Sequence, residues 1–182
     1  MEIRIGHLFQ VVGHISDDLD CSLCFFTINY INMNKIKIFI DTSVIGGCFD
    51  DEFSNYSNQL FDCFNEDKFL PVVSNAVIDE LDKAPDIVKG HLKTLKNLII
   101  LEITDEILEL ARKYLNEKIV TEKYIDDAIH IATATINKID VLVSWNFRHI
   151  VNLKKIHLFN SINIKEDYNI LEIRSPMELL NE

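Results

Sequence analysis

The sequence predicts an α/β fold: a parallel sheet with helices on both faces. Three observations predict it. Short unbroken apolar runs, such as residues 36–41 and 69–74, read as buried strands. Strands of a parallel sheet are covered on both faces and so lose the alternation of a half-exposed strand. Between these runs lie stretches with apolar residues at helical spacing. The two kinds alternate from Lys35 onward, the pattern of an α/β chain.

The elements follow in order. Residues 36–41 form the first strand. Residues 55–64 form a helix with Tyr56, Leu60, Phe61 and Phe64 on one face. Residues 69–74 form the second strand, with Pro71 near its start. Asn75 caps a helix through Leu81. Pro85 opens another, ending near Asn97. Residues 98–103 form the third strand. Thr104 caps a helix whose start carries Glu106 and Glu109, where the helix dipole favours acids. Residues 122–137 read as one long helix with Ile125, Ala128, Ile129, Ala132 and Ile136 as its apolar face. Residues 141–144 form the fourth strand. Residues 170–173 form a fifth, and Ser175-Pro176 opens a short helix. Gly46-Gly47 reads as a turn.

Composition bounds the function. The 182 residues are 48% hydrophobic and 26% charged, enough for one packed domain plus an arm. With 18 Lys and Arg against 29 Asp and Glu, the formal charge is −11, which opposes DNA binding through a broad basic surface. No run nears the roughly 20 apolar residues that span a bilayer, so no membrane partner is expected. Cys21 and Cys24 have CxxC spacing, yet no second pair completes a zinc site, and reduced thiols are the expectation. Asp17, Asp18 and Asp20 precede the most apolar part of the N-terminus, unlike a secretory signal. A cytoplasmic location is expected. Residues 1–32 lack sustained periodicity and read as an extension: disordered, upstream of a true start at Met33, or an arm that packs on the domain or a partner; the domain then spans 33–182.

In a parallel sheet, ligands bind beyond the carboxyl ends of the strands. Asp41 closes the first strand, Glu80 lies in the helix after the second, Asp126-Asp127 opens the long helix, and Asn146 follows the fourth strand. Each has a bland reading. Asp41 and Asn146 suit caps or turns, Glu80 a solvated helix face, and Asp126-Asp127 a first turn. Together they place three acids and an amide at one sheet edge. Two carboxylates about 4 Å apart repel by roughly 4 kcal/mol at an effective dielectric near 20. A divalent cation offsets that repulsion, and all-oxygen donors favour Mg²⁺ or Mn²⁺.

At these residues the sequence resembles the PIN-domain family, including toxin ribonucleases of VapC type. The matching segments are residues 38–43, the helical Glu80, Asp127-Ala128-Ile129-His130-Ile131-Ala132-Thr133-Ala134, and Val143-Ser144-Trp145-Asn146-Phe147. Residues 171–179 resemble the tail of one bacterial subgroup. The resemblance covers Met33 to the C-terminus.

The resemblance implies a Rossmann-like three-layer α/β/α sandwich with a four- to five-stranded parallel sheet. It implies a Mg²⁺- or Mn²⁺-dependent endoribonuclease that hydrolyses RNA through a metal-activated water. Asp41, Glu80 and Asp127 match the family's acidic ligands. Asp126 and Asp127 both lie off the apolar face; the family's Asp-Ala-x-x-x-Ala pattern selects Asp127 and leaves Asp126 in support. Ser43 matches a supporting polar residue. Many members carry a fourth Asp where this chain has Asn146, which implies a weaker, uncharged ligand and a preference for Mn²⁺. Arg148, Lys154 and Lys155 are expected to contact the RNA backbone, and His130 and His149 are read as structural or substrate-contacting. A homodimer and an inhibitory antitoxin are family expectations.

Other classes fit less well. A silent PIN-like module that binds RNA or protein is favoured by Asn146 and the acidic surface. Phosphatases of haloacid-dehalogenase type usually carry a second Asp two residues after the first; here that position is Ser43. No GxGxxG, Walker or GxSxG pattern occurs.

Overall fold

The computed structural model describes residues 35–181. The expectations for residues 1–32 and for a start at Met33 lie outside the described residues. Strand β1 (Lys37–Ile40) leads into helix α1 (Thr42–Gly47), then α2 (Ser54–Asn65). Strand β2 (Leu70–Ser74) is followed by α3 (Asn75–Leu81) and α4 (Asp86–Leu92). Strand β3 (Ile99–Leu101) precedes α5 (Asp105–Asn116), a 3-10 turn (Glu122–Tyr124) and α6 (Ile125–Ile136). Strand β4 (Val141–Val143), α7 (Leu153–Lys165), β5 (Glu172–Arg174) and α8 (Pro176–Leu180) complete the order.

All five strands are parallel, in the order β3-β2-β1-β4-β5. The chain steps outward from β1 to β3, crosses back beside β1 at β4, and steps outward again. Right-handed crossovers put the β1–β3 connections on one face and the β3–β5 connections on the other. The contacts agree: α2 packs on α1 and α8, and α5 packs on α6 and α7. The result is a three-layer α/β/α sandwich. Its central strands are largely apolar and buried, with Ile38, Phe39, Ile40, Val72, Val73, Leu142 and Val143 in one core.

The helices form for local reasons. Ser74 and Thr104 accept from the backbone N–H groups of Val77 and Ile107, capping α3 and α5. Helix α5 buries Ile107, Leu110, Ala111 and Tyr114, a single stripe at i, i+3, i+4 and i+7. Four helices end on a non-glycine residue in the left-handed region. Asp67, Lys118, Lys138 and Asp167 take positive φ just past α2, α5, α6 and α7. In each case the next residue's N–H reaches back to close the last turn, as Ile139 does to Ala134 and Ile119 to Tyr114.

Several expectations need correction. Ser74, not Asn75, caps α3. The helix after Pro85 ends at Leu92, and turns carry the chain to β3. The long helix is a 3-10 turn followed by α6, because Tyr124 (φ −119°, ψ 35°) leaves helical geometry. Its buried face is Ala128, Ile131, Ala132 and Ala134 together with His130, Thr133 and Thr135. Wedged between sheet and helices, α6 is covered on more than one side, so small and polar residues are buried beside the predicted stripe. Gly46 and Gly47 end a helix rather than form a turn. Helix α7 was not expected, since its apolar residues are diluted by Lys and Asn and several, such as Ile164, are exposed.

Candidate active site

The point where strand order reverses lies between β1 and β4, and the carboxyl ends of these two strands flank a crevice. Residues just beyond each end meet there. Asp41 follows β1 and is buried. It occupies the N-cap position of α1 yet makes no capping bond. Its Oδ2 instead accepts from the hydroxyls of Ser43 and Ser144, the latter at 2.7 Å. Ser144 follows β4, so these bonds tie the two strand ends together. Ser43 Oγ also accepts from the Trp145 N–H at 2.9 Å.

Glu80 comes from α3. Its Oε2 accepts from Thr42 Oγ1 at 2.5 Å, and its Oε1 lies 3.0 Å from His130 Nε2. His130 is almost completely buried, and its Nε2 is 3.6 Å from Asp41 Oδ1. The imidazole therefore stands between two carboxylates from different elements, Asp41 just past β1 and Glu80 on α3. Burial alone depresses such a group, but the Glu80 hydrogen bond and the Asp41, Glu80 and Asp127 charges outweigh it, so His130 titrates above the usual histidine range. Burial pulls Glu80 upward, and His130, Thr42 and Lys83 outweigh it, so Glu80 stays below the usual carboxylate value.

Asp127 lies in the first turn of α6. Burial and the neighbouring Asp41 charge push it up to about 6, against the opposing influence of His130 and Asn146. Its Oδ1 accepts from Asn146 Nδ2 at 2.9 Å, while its Oδ2 is buried with no hydrogen-bond partner among the described residues. A buried carboxylate oxygen with no donor is costly unless a cation or a water meets it.

Asn146 is oriented by its own turn. Its Oδ1 accepts from the His149 N–H at 3.0 Å, which directs its nitrogen toward Asp127. The expected oxygen ligand is in this structure a donor, and the bland capping reading of Asn146 is realised as well.

These groups border a cavity of about 280 Å³ lined by Asp41, Glu80, Asp126, Asp127, His130 and Asn146, together with Thr42, Ser43, Lys123 and Tyr124. Asp126 is exposed at its rim. Arg148 and Lys154 are exposed and do not line it. Lys155 also stands outside the lining, although Asp127 acts on it electrostatically. His130 and Ser144 are the site residues that sequence reasoning underrated. A signal existed for the first: His130 lies three residues after Asp127, on the same side of a helix.

The donor chemistry fits a hard divalent cation: three carboxylates, one with a bare buried oxygen. The fit is not preassembled. Among the described residues, no three His, Cys, Asp or Glu side chains already enclose an ion. Protein hydrogen bonds occupy most of the carboxylate oxygens instead.

No family model and no curated protein matches the sequence. Solved structures do match in fold. VapBC2 from Rickettsia felis, solved with a DNA fragment from its promoter, gives a TM-score of 0.50 at 16% identity, covering 77% of this chain and 98% of that one. The Mycobacterium tuberculosis toxin VapC20, described as cleaving the Sarcin-Ricin loop, gives 0.50 at 16%, covering 62% and 92%. With its five parallel strands and the carboxylates at their switch point, the chain has the fold of a VapC-type PIN domain.

Proposed function

We propose that the chain is a divalent-metal-dependent endoribonuclease that hydrolyses RNA phosphodiesters, acting as the toxin of a toxin–antitoxin pair. The observation that carries this reading is the bare, buried Oδ2 of Asp127 beside Asp41 at the switch point of the sheet. Mg²⁺ or Mn²⁺ would be held by Asp41 and Asp127, with Glu80 completing the site directly or through water. Such an ion, when bound, supplies positive charge at the phosphate and an acidified water.

The chain's own residues prepare that chemistry. Ser43 and Ser144 hold one oxygen of Asp41, which fixes the carboxylate plane. His130 bridges Glu80 and Asp41 and limits their repulsion. Asn146 orients Asp127 by donating to Oδ1, leaving Oδ2 for the ion. Arg148, Lys154 and Lys155 supply positive charge for the RNA backbone on an otherwise acidic chain. The antitoxin partner and a homodimer belong to the same proposal. The likeness to VapBC2 supports the antitoxin.

The test is cleavage of a mixed panel of structured and single-stranded RNAs with Mg²⁺, with Mn²⁺ and with EDTA. Metal-dependent cleavage is expected. It should be lost in Asp41→Asn and Asp127→Asn while circular dichroism stays unchanged. Full activity in either folded variant counts against the site.

A second reading has its own support. With Ser43, Ser144, Thr42, His130 and Asn146 already bonded to the carboxylates, the site is satisfied without metal over most of its oxygens. That state suits a silent RNA-binding module. Metal binding seen by titration without turnover on any RNA selects it.

A further inference from the structure

Beside the carboxylates stands an aromatic group that the hydrolysis itself does not use. Tyr124 and Lys123 line the same cavity as Asp41 and Asp127. The Tyr124 ring lies against His149, with centroids 3.9 Å apart and planes inclined by 31°. His149 is itself held from behind, its Nδ1 2.8 Å from the Lys155 ammonium. An ammonium only donates, so Nδ1 accepts and the ring proton sits on Nε2. That Nε2 is buried with no hydrogen-bond partner among the described residues, so packing and Lys155 position His149. Lys155 comes from α7, His149 from the β4–α7 loop and Tyr124 from the turn before α6. Two other segments thus prop one aromatic ring at the mouth of the acidic cavity, His149 directly and Lys155 through it.

One flank of the ring, beside the carboxylates, carries positive charge. Against a formal charge of −11, this flank gathers Lys123, Arg148 and Lys155. The exposed Lys123 places its Nζ 5.6 Å over the Tyr124 ring. Arg148 and Lys155 both act electrostatically on His149. An ammonium over an aromatic face marks that face as reachable from solvent and attractive to a cation or a stacked ring. An aromatic plate with cations beside it is the arrangement that holds one nucleotide, base against ring and phosphate against ammonium.

We propose that Tyr124, propped by His149 and flanked by Lys123 and Lys155, holds one unstacked nucleotide next to the carboxylates. Its base lies on the Tyr124 ring in place of Lys123, and its phosphate lies on the two ammonium groups. This rests on the RNA reading above and adds residues to it: Tyr124, Lys123 and Lys155 touch the nucleotide, and His149 is a positioning residue acting through Tyr124. A base inside a duplex offers no free face, so the site takes RNA with unpaired bases.

The experiment measures binding of a labelled single-stranded RNA of mixed sequence to the full chain by anisotropy, in EDTA so that metal-dependent cleavage is held off. Tyr124→Leu should weaken binding about fivefold or more, the loss of one stacked base. Tyr124→Phe, which keeps the ring, should bind as the parent chain does. Lys155→Gln should weaken binding and flatten the slope of log affinity against log salt by about 0.7. Irradiation of the parent chain with 4-thiouridine RNA should label Tyr124, a readout that needs no variant to fold. Parent-level affinity in folded Tyr124→Leu, label only elsewhere, or no binding by the parent chain overturns the proposal. Cleavage is read separately with Mg²⁺ and Mn²⁺. Binding that depends on Tyr124 without any turnover keeps the plate and removes the nuclease. Turnover with Tyr124→Leu binding unchanged does the reverse.

Discussion

Asp41 shows how a single residue parts from its bland reading. It sits where a helix cap should, yet its carboxylate turns away from the α1 backbone toward Ser43, Ser144 and His130. An acid excused from capping is available for chemistry. Asp127 carries the corresponding cost. Its carboxyl is pushed up to about 6 by burial and by Asp41, so the folded state disfavours its charged form. The sign follows: the metal-free fold loses stability as pH rises from the ordinary carboxylate range through about 6. Asp127→Asn is therefore expected to melt higher than the parent chain at pH 7 in EDTA, with the gap closing toward pH 4. Thermal denaturation at both pH values checks it. Added Mg²⁺ or Mn²⁺ should raise the melting temperature of the parent chain and not that of the variant.

At the scale of elements, the chain stops its helices in an unusual way for one with only 5 glycines. Lys138 takes φ 51° after α6, and the Ile139 N–H then reaches the Ala134 carbonyl while its side chain is buried. A side chain at positive φ is strained, and glycine is not. Lys138→Gly should stabilise the fold by about 0.5–1 kcal/mol, a rise of a few degrees in melting temperature. The opposite holds at the end of α1. A Cβ on Gly47 would meet Ser57 Oγ at 2.8 Å and the Trp145 ring at 3.0 Å. The Trp145 indole donates to that same Ser57 hydroxyl at 2.8 Å and stacks on Phe53. Gly47→Ala must displace this packed group and should cost about 1–3 kcal/mol, as overpacking does. Because Trp145 neighbours Ser144 and Asn146, cleavage should fall with it. Denaturant unfolding followed by Trp145 fluorescence measures the first effect directly.

At the scale of the molecule, an acidic chain that binds RNA as proposed must rely on a few local cations. Lys123, Arg148 and Lys155 are the group beside the cavity. Each phosphate contact to a single strand contributes about −0.7 to the slope of log affinity against log salt. Three contacts give a slope near −2 by that rule. The expected behaviour is weak non-specific binding with a shallow salt dependence, read by anisotropy across a salt series. A much steeper slope would place the RNA on a larger surface than this flank. The sheet order assembles the site, since it brings the ends of β1 and β4 side by side.

The sequence by itself determined the alternation of strands and helices, the parallel sheet and the placing of Asp41, Glu80 and Asp127 near strand ends. These are local properties: periodicity over a few residues reports burial, and burial selects the element. It did not show helix α7, whose apolar face is thin, nor the break before α6, where one backbone angle decides. The tertiary structure alone decided what each carboxylate touches. Ser144 reaches Asp41 across 103 residues of sequence, and His130 reaches Glu80 across 50. Asn146 turned its nitrogen, not its oxygen, to Asp127 because a backbone N–H three residues on claimed the oxygen. Contacts of this kind depend on which strands lie adjacent and how side chains share donors. Neither is written in local spacing; both follow from the order in which the sheet is assembled.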